Sequence, residues 1–178
     1  MLLMPNKDWH WEFNSRYQQL SISLSSEMEF LTPYKTKQLI PDALTRAEFS
    51  VEHAKFYIRL LEMLPKVLHI SDAGIVQTAL NATAAHFLLK PQMPKSWFFE
   101  ASDECVFSDT GKLFQINCNG KSALVLVVEN SLQAATVMLL SQSCALTESK
   151  SLNQFDVIKV MHNRLHPLKK AKQVVVAA

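Results

Sequence analysis

Glycine is scarce in this chain: Gly74, Gly111 and Gly120 are the only three among 178 residues, and no two lie close together. Dinucleotide fingerprints and phosphate-cradling loops need clustered glycines, so that backbone amides can approach the phosphates. Neither loop is present. Cysteine is equally sparse. Cys105, Cys118 and Cys144 are odd in number and share no CxxC spacing, which argues against a disulfide framework or a zinc site. Three small thiols in apolar surroundings fit an inert role in a reducing compartment. No apolar run reaches the roughly 18 residues needed to span a bilayer, and the opening MLLMP has too short an apolar core for a secretory signal. The expected location is cytoplasmic, without membrane insertion.

Local catalytic motifs are missing too. None of the serines sits in a GxSxG elbow, and each cysteine falls in a strand-like apolar context that leaves a thiol unactivated. His162 and His166 are four apart, the spacing of two metal ligands on one helix face. Asn163 stands where a zinc protease carries its glutamate, and no third ligand is near. A histidine pair at a helix end, favourable to the helix dipole, is the simpler reading. A non-enzymatic protein without cofactor or metal is expected.

What the chain does have is an uneven charge. Residues 150–178 carry Lys150, Lys159, Arg164, Lys169, Lys170 and Lys172 against Asp156 alone, a local balance of +5 within a net charge of +2. Such asymmetry suits an acidic partner, or is simply a solvated basic tail. Single-strand nucleic-acid readers interleave aromatics with their basic residues, and no aromatic follows Phe155. Nucleic acid is therefore not the expected partner. A generic ligand- or nucleic-acid-binding module using the basic C-terminal surface is the alternative to a protein-binding one.

The patterning predicts an α+β chain. Trp9, Trp11 and Phe13 alternate with polar residues, as do Leu20, Ile22 and Leu24, across a turn at Asn14-Ser15. This is a β-hairpin with one buried face. A third strand is expected at Glu29–Thr32, ended by Pro33. Ser50 is placed to cap a helix over Val51–Leu64, stopped by Pro65, with Val51, Ala54, Ile58, Leu61 and Leu64 as its apolar stripe. Thr45-Arg-Ala-Glu48 has capping-box form and would allow an earlier start. A second helix follows Ser71, with Val76, Ala79, Leu80, Thr83 and Phe87 on one face and Pro91 limiting its end. Beyond Trp97 the pattern turns to β. Phe114, Ile116 and Cys118 alternate into Asn119-Gly120, the strongest short hairpin signal, and Ala123–Val128 is an unbroken apolar run. Ala135–Leu140 reads as its neighbour. Phe155, Ile158, Met161 and Leu165 then recur at helical spacing, which predicts a packed helix near 154–165. Pro91 and Pro94 mark a stiff boundary between an N-terminal α/β domain at 1–90, with its hairpin and two helices, and a C-terminal, mostly antiparallel β domain at 91–178.

At that boundary the run LLKPQMPKSW, Leu88 to Trp97, is specific enough to carry a resemblance. With Trp9-His-Trp11, Pro41-Asp42-Ala43 within Phe30 to Phe49, LVVEN from Leu126 and IKVMHNRLHP from Ile158, it resembles the ZapC family of Z-ring-associated cell-division proteins over nearly the whole chain. The resemblance implies a monomer with an α/β N-terminal domain and a twisted, barrel-like C-terminal domain. It implies recruitment to the midcell Z-ring by direct binding of FtsZ, the tubulin-like division GTPase. It also implies lateral association of FtsZ filaments, a stabilised Z-ring and lowered GTPase activity. The matching motifs put Lys90, Lys95, Lys159 and Arg164 on an FtsZ-binding basic surface. Ile22 and Ile58 fall in the stretches that supply an apolar FtsZ-binding pocket, aliphatic where the family can have leucine or phenylalanine. Read from the residues alone, ordinary core is the favoured reading of both isoleucines, and a solvated linker is the alternative for Lys90 and Lys95. The end of the chain, Val174 to Ala178, reads either as a docked edge strand or, through Ala177 and Ala178, as a degradation tag for the ClpXP protease.

Overall fold

A computed structural model describes residues 1–168. Lys169, Lys170, Lys172 and the proposed tag at Ala177 and Ala178 lie outside the described residues. The chain is α+β and divides into two units. One comprises Met1–Pro65 and Ser71–Pro91; the other takes Lys66–Ile70 with the chain from Gln92 onward. Among the described residues no helix is long and apolar enough to cross a membrane.

The first unit is a four-stranded antiparallel sheet with two helices. Its strands are β1 (His10–Asn14), β2 (Gln19–Ser25), β3 (Met28–Lys35) and β4 (Ala47–Glu48), in the order β3-β2-β1-β4. The period-two reading holds for the hairpin: Trp11 pairs with Ile22 and Phe13 with Leu20. The Asn14 side chain accepts the Arg16 and Tyr17 amides at 3.1 and 3.2 Å and so forms the turn. Contrary to expectation, β3 runs through Pro33. It is an edge strand, where a residue without an N–H costs no ladder bond, and the register shifts between Gln19 and Ser21.

Helix α1 (Val51–Val67) starts where Ser50 predicts: its Oγ accepts the His53 amide at 3.2 Å. The capping box at Thr45 is not used, because Ala47 and Glu48 pair with β1. The helix continues past Pro65, since a missing N–H in the last turn removes one bond and no more. Its buried face is Tyr57, Leu60, Leu61 and Leu64, rotated from the predicted stripe and leaving Val51 exposed. Tyr57 sets that rotation by donating its hydroxyl to the Leu3 carbonyl at 2.7 Å and meeting the Trp9 ring edge-on. Helix α2 (Asp72–Leu88) is capped by Ser71 and is buried almost all round from Thr78 to Ala85. Thr78 and Thr83 return their hydroxyl protons to the carbonyls four residues back, which satisfies them inside the core.

The second unit is a four-stranded antiparallel sheet of order β10-β7-β6-β5, built from β5 (Leu113–Cys118), β6 (Lys121–Asn130), β7 (Ala134–Leu139) and β10 (Val157–Met161). A separate hairpin joins β8 (Ser143–Ala145) to β9 (Ser151–Asn153). Asn119 and Gly120 both have positive φ, as a two-residue turn between right-twisted strands requires. Residues Ala123 to Val128 are all buried, as the apolar run predicts. Past β10 the chain returns to the free edge of β5, where His166 and Gln115 exchange both backbone bonds at 2.8 and 2.9 Å. The sheet thereby rolls toward closure.

The predicted helix near 154–165 does not form. Phe155 has φ +70 in a tight turn, closed by Asp156 accepting the Asn153 amide at 2.8 Å. The following Val157, Ile158 and Val160 enter the sheet beside β7, with Ile158 opposite Val137. A β-branched run packs better on a pleated sheet than in a helix, and that preference outweighs the helical spacing. What helix this stretch has is a 3-10 turn at His162–Arg164.

Candidate functional site

The second unit brings three of its cations to one turn. The segment from Gln92 to Ser96 lies along the outer edge of β10: the Gln92 side chain donates to the Val157 carbonyl at 3.4 Å and the Lys95 amide to the Lys159 carbonyl at 2.8 Å. Ser96 then holds the 3-10 turn on both its polar atoms. Its Oγ accepts the Met161 amide at 2.9 Å, and its carbonyl accepts Arg164 Nε at 3.1 Å. Lys95, Lys159 and Arg164 are thus brought together about Ser96, none of them on an α-helix. Lys95 is exposed and the other two are half-buried. Among the described residues no ion pair involves any of the three; the pairs seen are Met1–Asp72, His10–Glu12, Lys55–Glu52 and Lys112–Asp109. Lys90 belongs to the first unit and is exposed, with its amide on the Gln38 carbonyl at 2.8 Å.

In the first unit Ile22 lies at the centre of β2 and has no exposed surface, between Trp11 and Phe30 on the flanking strands. Ile58 lies on α1 and keeps partial exposure. An open cavity of about 760 Å³ in this unit is lined instead by Lys7, Trp9, His10, Leu24, Arg46 and Glu48, with serines of β2 and the turn after it. Nothing in the sequence patterning marks Lys7 and Arg46 as neighbours, since β1 and β4 are joined only by tertiary pairing.

The histidines that the spacing singles out face different partners. His162 is clamped between the Ser108 hydroxyl, 2.5 Å from Nδ1, and the Ser131 carbonyl, 2.9 Å from Nε2. His166 Nε2 lies 3.1 Å from the Glu100 carbonyl. Burial raises the Cys118 thiol pKa, with the Glu100 carboxylate adding to the rise, and burial likewise raises that of Cys144. Both thiols are therefore protonated and unreactive at neutral pH. Cys105 is exposed.

Comparison with known proteins assigns both halves of the chain. A family model described as "Cell-division protein ZapC, N-terminal" matches residues 2–90, and one described as "Cell-division protein ZapC, C-terminal" matches residues 91–171. A cell division protein ZapC of Shewanella frigidimarina is 77% identical over 177 residues, covering 99% of this chain and all of the relative. Its counterpart in Shewanella oneidensis is 63% identical over the same length. That of Ferrimonas balearica is 40% identical over 172 residues, 97% of this chain and 96% of the relative.

Proposed function

This chain belongs to the ZapC family of cell-division proteins, and from that premise we propose that it is a non-enzymatic cytoplasmic adaptor that binds FtsZ polymers at the midcell Z-ring. It promotes lateral association of the filaments, stabilises the ring and lowers FtsZ GTPase activity. It acts as a monomer without cofactor, and its domains divide at residues 90 and 91.

The observation that carries the binding mode is the cation cluster about Ser96. Lys95, Lys159 and Arg164 are held on hydrogen-bonded backbone and lack carboxylate partners among the described residues. Charges arranged in this way and left unneutralised favour attraction to an acidic surface, with an on-rate that falls as salt rises. Lys90 provides a further cation on the other domain. In the first domain Ile58 would make the apolar contact, and Ile22 would shape the surface from beneath. Two contact surfaces on one molecule are what cross-linking of filaments requires.

Sedimentation with polymerised FtsZ at two salt concentrations tests this reading. The unsubstituted chain is expected to pellet with the polymer, less so at the higher salt. Lys95→Glu/Lys159→Glu protein is expected to pellet about tenfold more weakly and to lose most of the salt dependence. Undiminished pelleting by that variant would remove these lysines from the interface.

A further inference from the structure

Asn119 is the only asparagine in the chain that a glycine follows. Such a pair is chemically labile, because the glycine nitrogen reaches the neighbouring side-chain amide without a Cβ in the way. Once its proton is removed, the nitrogen of Gly120 can attack Cγ of Asn119. A bond forms between the two, the Cγ–Nδ2 bond breaks and ammonia leaves. Water then opens the cyclic imide at one carbonyl or the other, which yields aspartate or isoaspartate. No further reactant is needed.

Both residues lie exposed at the tip of the β5–β6 hairpin. The fold nevertheless engages both reacting groups, through partners distant in sequence. A two-residue turn is closed by its flanking residues, here Cys118 and Lys121, and provides no acceptor for the N–H of its second residue. Glu100 provides one: its Oε1 accepts the Gly120 N–H at 3.3 Å. The Asn119 side chain donates from Nδ2 to the Leu146 carbonyl at 3.4 Å. Both acceptors are themselves anchored. The Glu100 amide donates to the Asn117 carbonyl at 2.8 Å, and its carbonyl lies 3.1 Å from His166 Nε2. The Leu146 amide donates to the Lys150 carbonyl at 2.9 Å. Asn119 is held at φ +53. Cyclisation would require it to turn about its Cα–C bond, out of the left-handed conformation that the hairpin imposes.

We propose that Asn119 is a modification site whose chemistry is gated by the fold: Glu100 and the Leu146 carbonyl keep its amide intact, and conversion to isoaspartate proceeds when this corner opens. The change is not silent. Isoaspartate routes the backbone through the former side chain, which lengthens a two-residue turn by a methylene and adds a carboxylate beside Glu100. Cys118 would no longer face Lys121, and the register of β5 on β6 would be lost. A chain whose second unit has opened is thereby marked covalently, by water alone. The inference stands apart from the filament-binding reading, since it uses none of the cations assigned to that surface.

The test is the isoaspartate content at residue 119, measured by peptide mapping after incubation of the full chain in mildly alkaline buffer. The unsubstituted protein should convert at least about tenfold more slowly when folded than in urea. Glu100 is exposed, so Glu100→Ala should keep the circular dichroism spectrum and thermal midpoint of the unsubstituted chain. Folded Glu100→Ala protein should nonetheless convert at least about fivefold faster, while in urea the two chains convert alike. Glu100→Gln keeps an acceptor for the Gly120 N–H and should recover most of the protection. A folded rate equal to the rate in urea would overturn the gating. Folded Glu100→Ala protein within about twofold of the unsubstituted chain would overturn the role of Glu100. So would a Glu100→Gln variant that converts as fast as Glu100→Ala.

Discussion

The start of α1 hangs on one imidazole nitrogen. His53 Nδ1 accepts two hydrogen bonds, from the Trp11 indole N–H at 3.1 Å and from the Ser50 amide at 3.2 Å. In return the His53 amide donates to Ser50 Oγ, which completes a reciprocal cap with histidine in the place usually held by glutamate. A nitrogen that accepts twice carries no proton, so the ring is neutral with its proton on Nε2. Burial lowers the His53 pKa from 6.5, and the nearby His86 lowers it further. His53→Ala removes the acceptor from an indole that has no exposed surface. An orphaned buried donor costs about 1–3 kcal/mol, and the lost bond from the Ser50 amide costs about 0.5–1 kcal/mol more, while the Ser50 Oγ cap on the residue-53 amide stays. The expected destabilisation of the first domain is about 1.5–4 kcal/mol. His53→Asn keeps a short acceptor near the same position and should recover roughly half of that loss.

The pH dependence has a definite sign. A group whose folded pKa lies below its unfolded value gives its full stabilisation above the unfolded pKa, and that stabilisation fades as pH falls through the folded one. The first domain should therefore be stable at pH 7.5 and weaken progressively below about pH 6.5. The readout is built in: with Trp97→Phe, the remaining tryptophans Trp9 and Trp11 are both buried in the first domain. Urea unfolding followed by their fluorescence at pH 7.5 and 5.5 reports that domain alone. A His53→Ala loss below about 0.5 kcal/mol would refute the indole argument. A His53→Asn variant that keeps the whole acid-induced drop would refute the linkage argument.

Two further outcomes follow from local geometry. Gly120 has φ +74 and open space within 4 Å of where a methyl would stand, so Gly120→Ala meets no clash and should cost only the backbone strain, about 1–2 kcal/mol, seen as an earlier unfolding of the second domain. A cost near zero would mean that the turn relaxes to another type. Of the three thiols only Cys105 is exposed, while Cys118 and Cys144 are buried with raised pKa. A disulfide reagent at pH 7.5 should titrate one thiol in the native protein and three in denaturant, and two fast native thiols would contradict the burial of Cys118 and Cys144.

Legibility of the fold followed the range of the interactions. The Ser50 and Ser71 caps and the Asn119-Gly120 turn are bonds between residues a few positions apart, and the sequence states all three. Pro33 and Pro65 look like stops in the sequence and are not, because the cost of a proline depends on context. On an edge strand or in a last helical turn it forfeits little, and edge position is a tertiary fact. The segment from Phe155 to Leu165 fits a helix by spacing alone. It is a strand because Val157, Ile158 and Val160 find β7 beside them, and that neighbour arises from pairing across an intervening hairpin.

The candidate site shows the same division more sharply. Lys95, Lys159 and Arg164 are recoverable from the sequence only as members of matching motifs, since nothing in their spacing brings residue 95 beside residue 159. What joins them is Ser96, whose hydroxyl and carbonyl take donors 65 and 68 positions away. The same holds for Ser108 and Ser131, which converge on His162. Serines carry weak patterning signals, so a chain read for apolar periodicity passes over them. In the folded protein these serines fix the backbone about the 3-10 turn. Ser96 thus orders the cations without being one of them, and Ser96→Ala, which removes the acceptor of the Met161 amide, should weaken pelleting with FtsZ polymer through lost order even though Lys95, Lys159 and Arg164 are all kept.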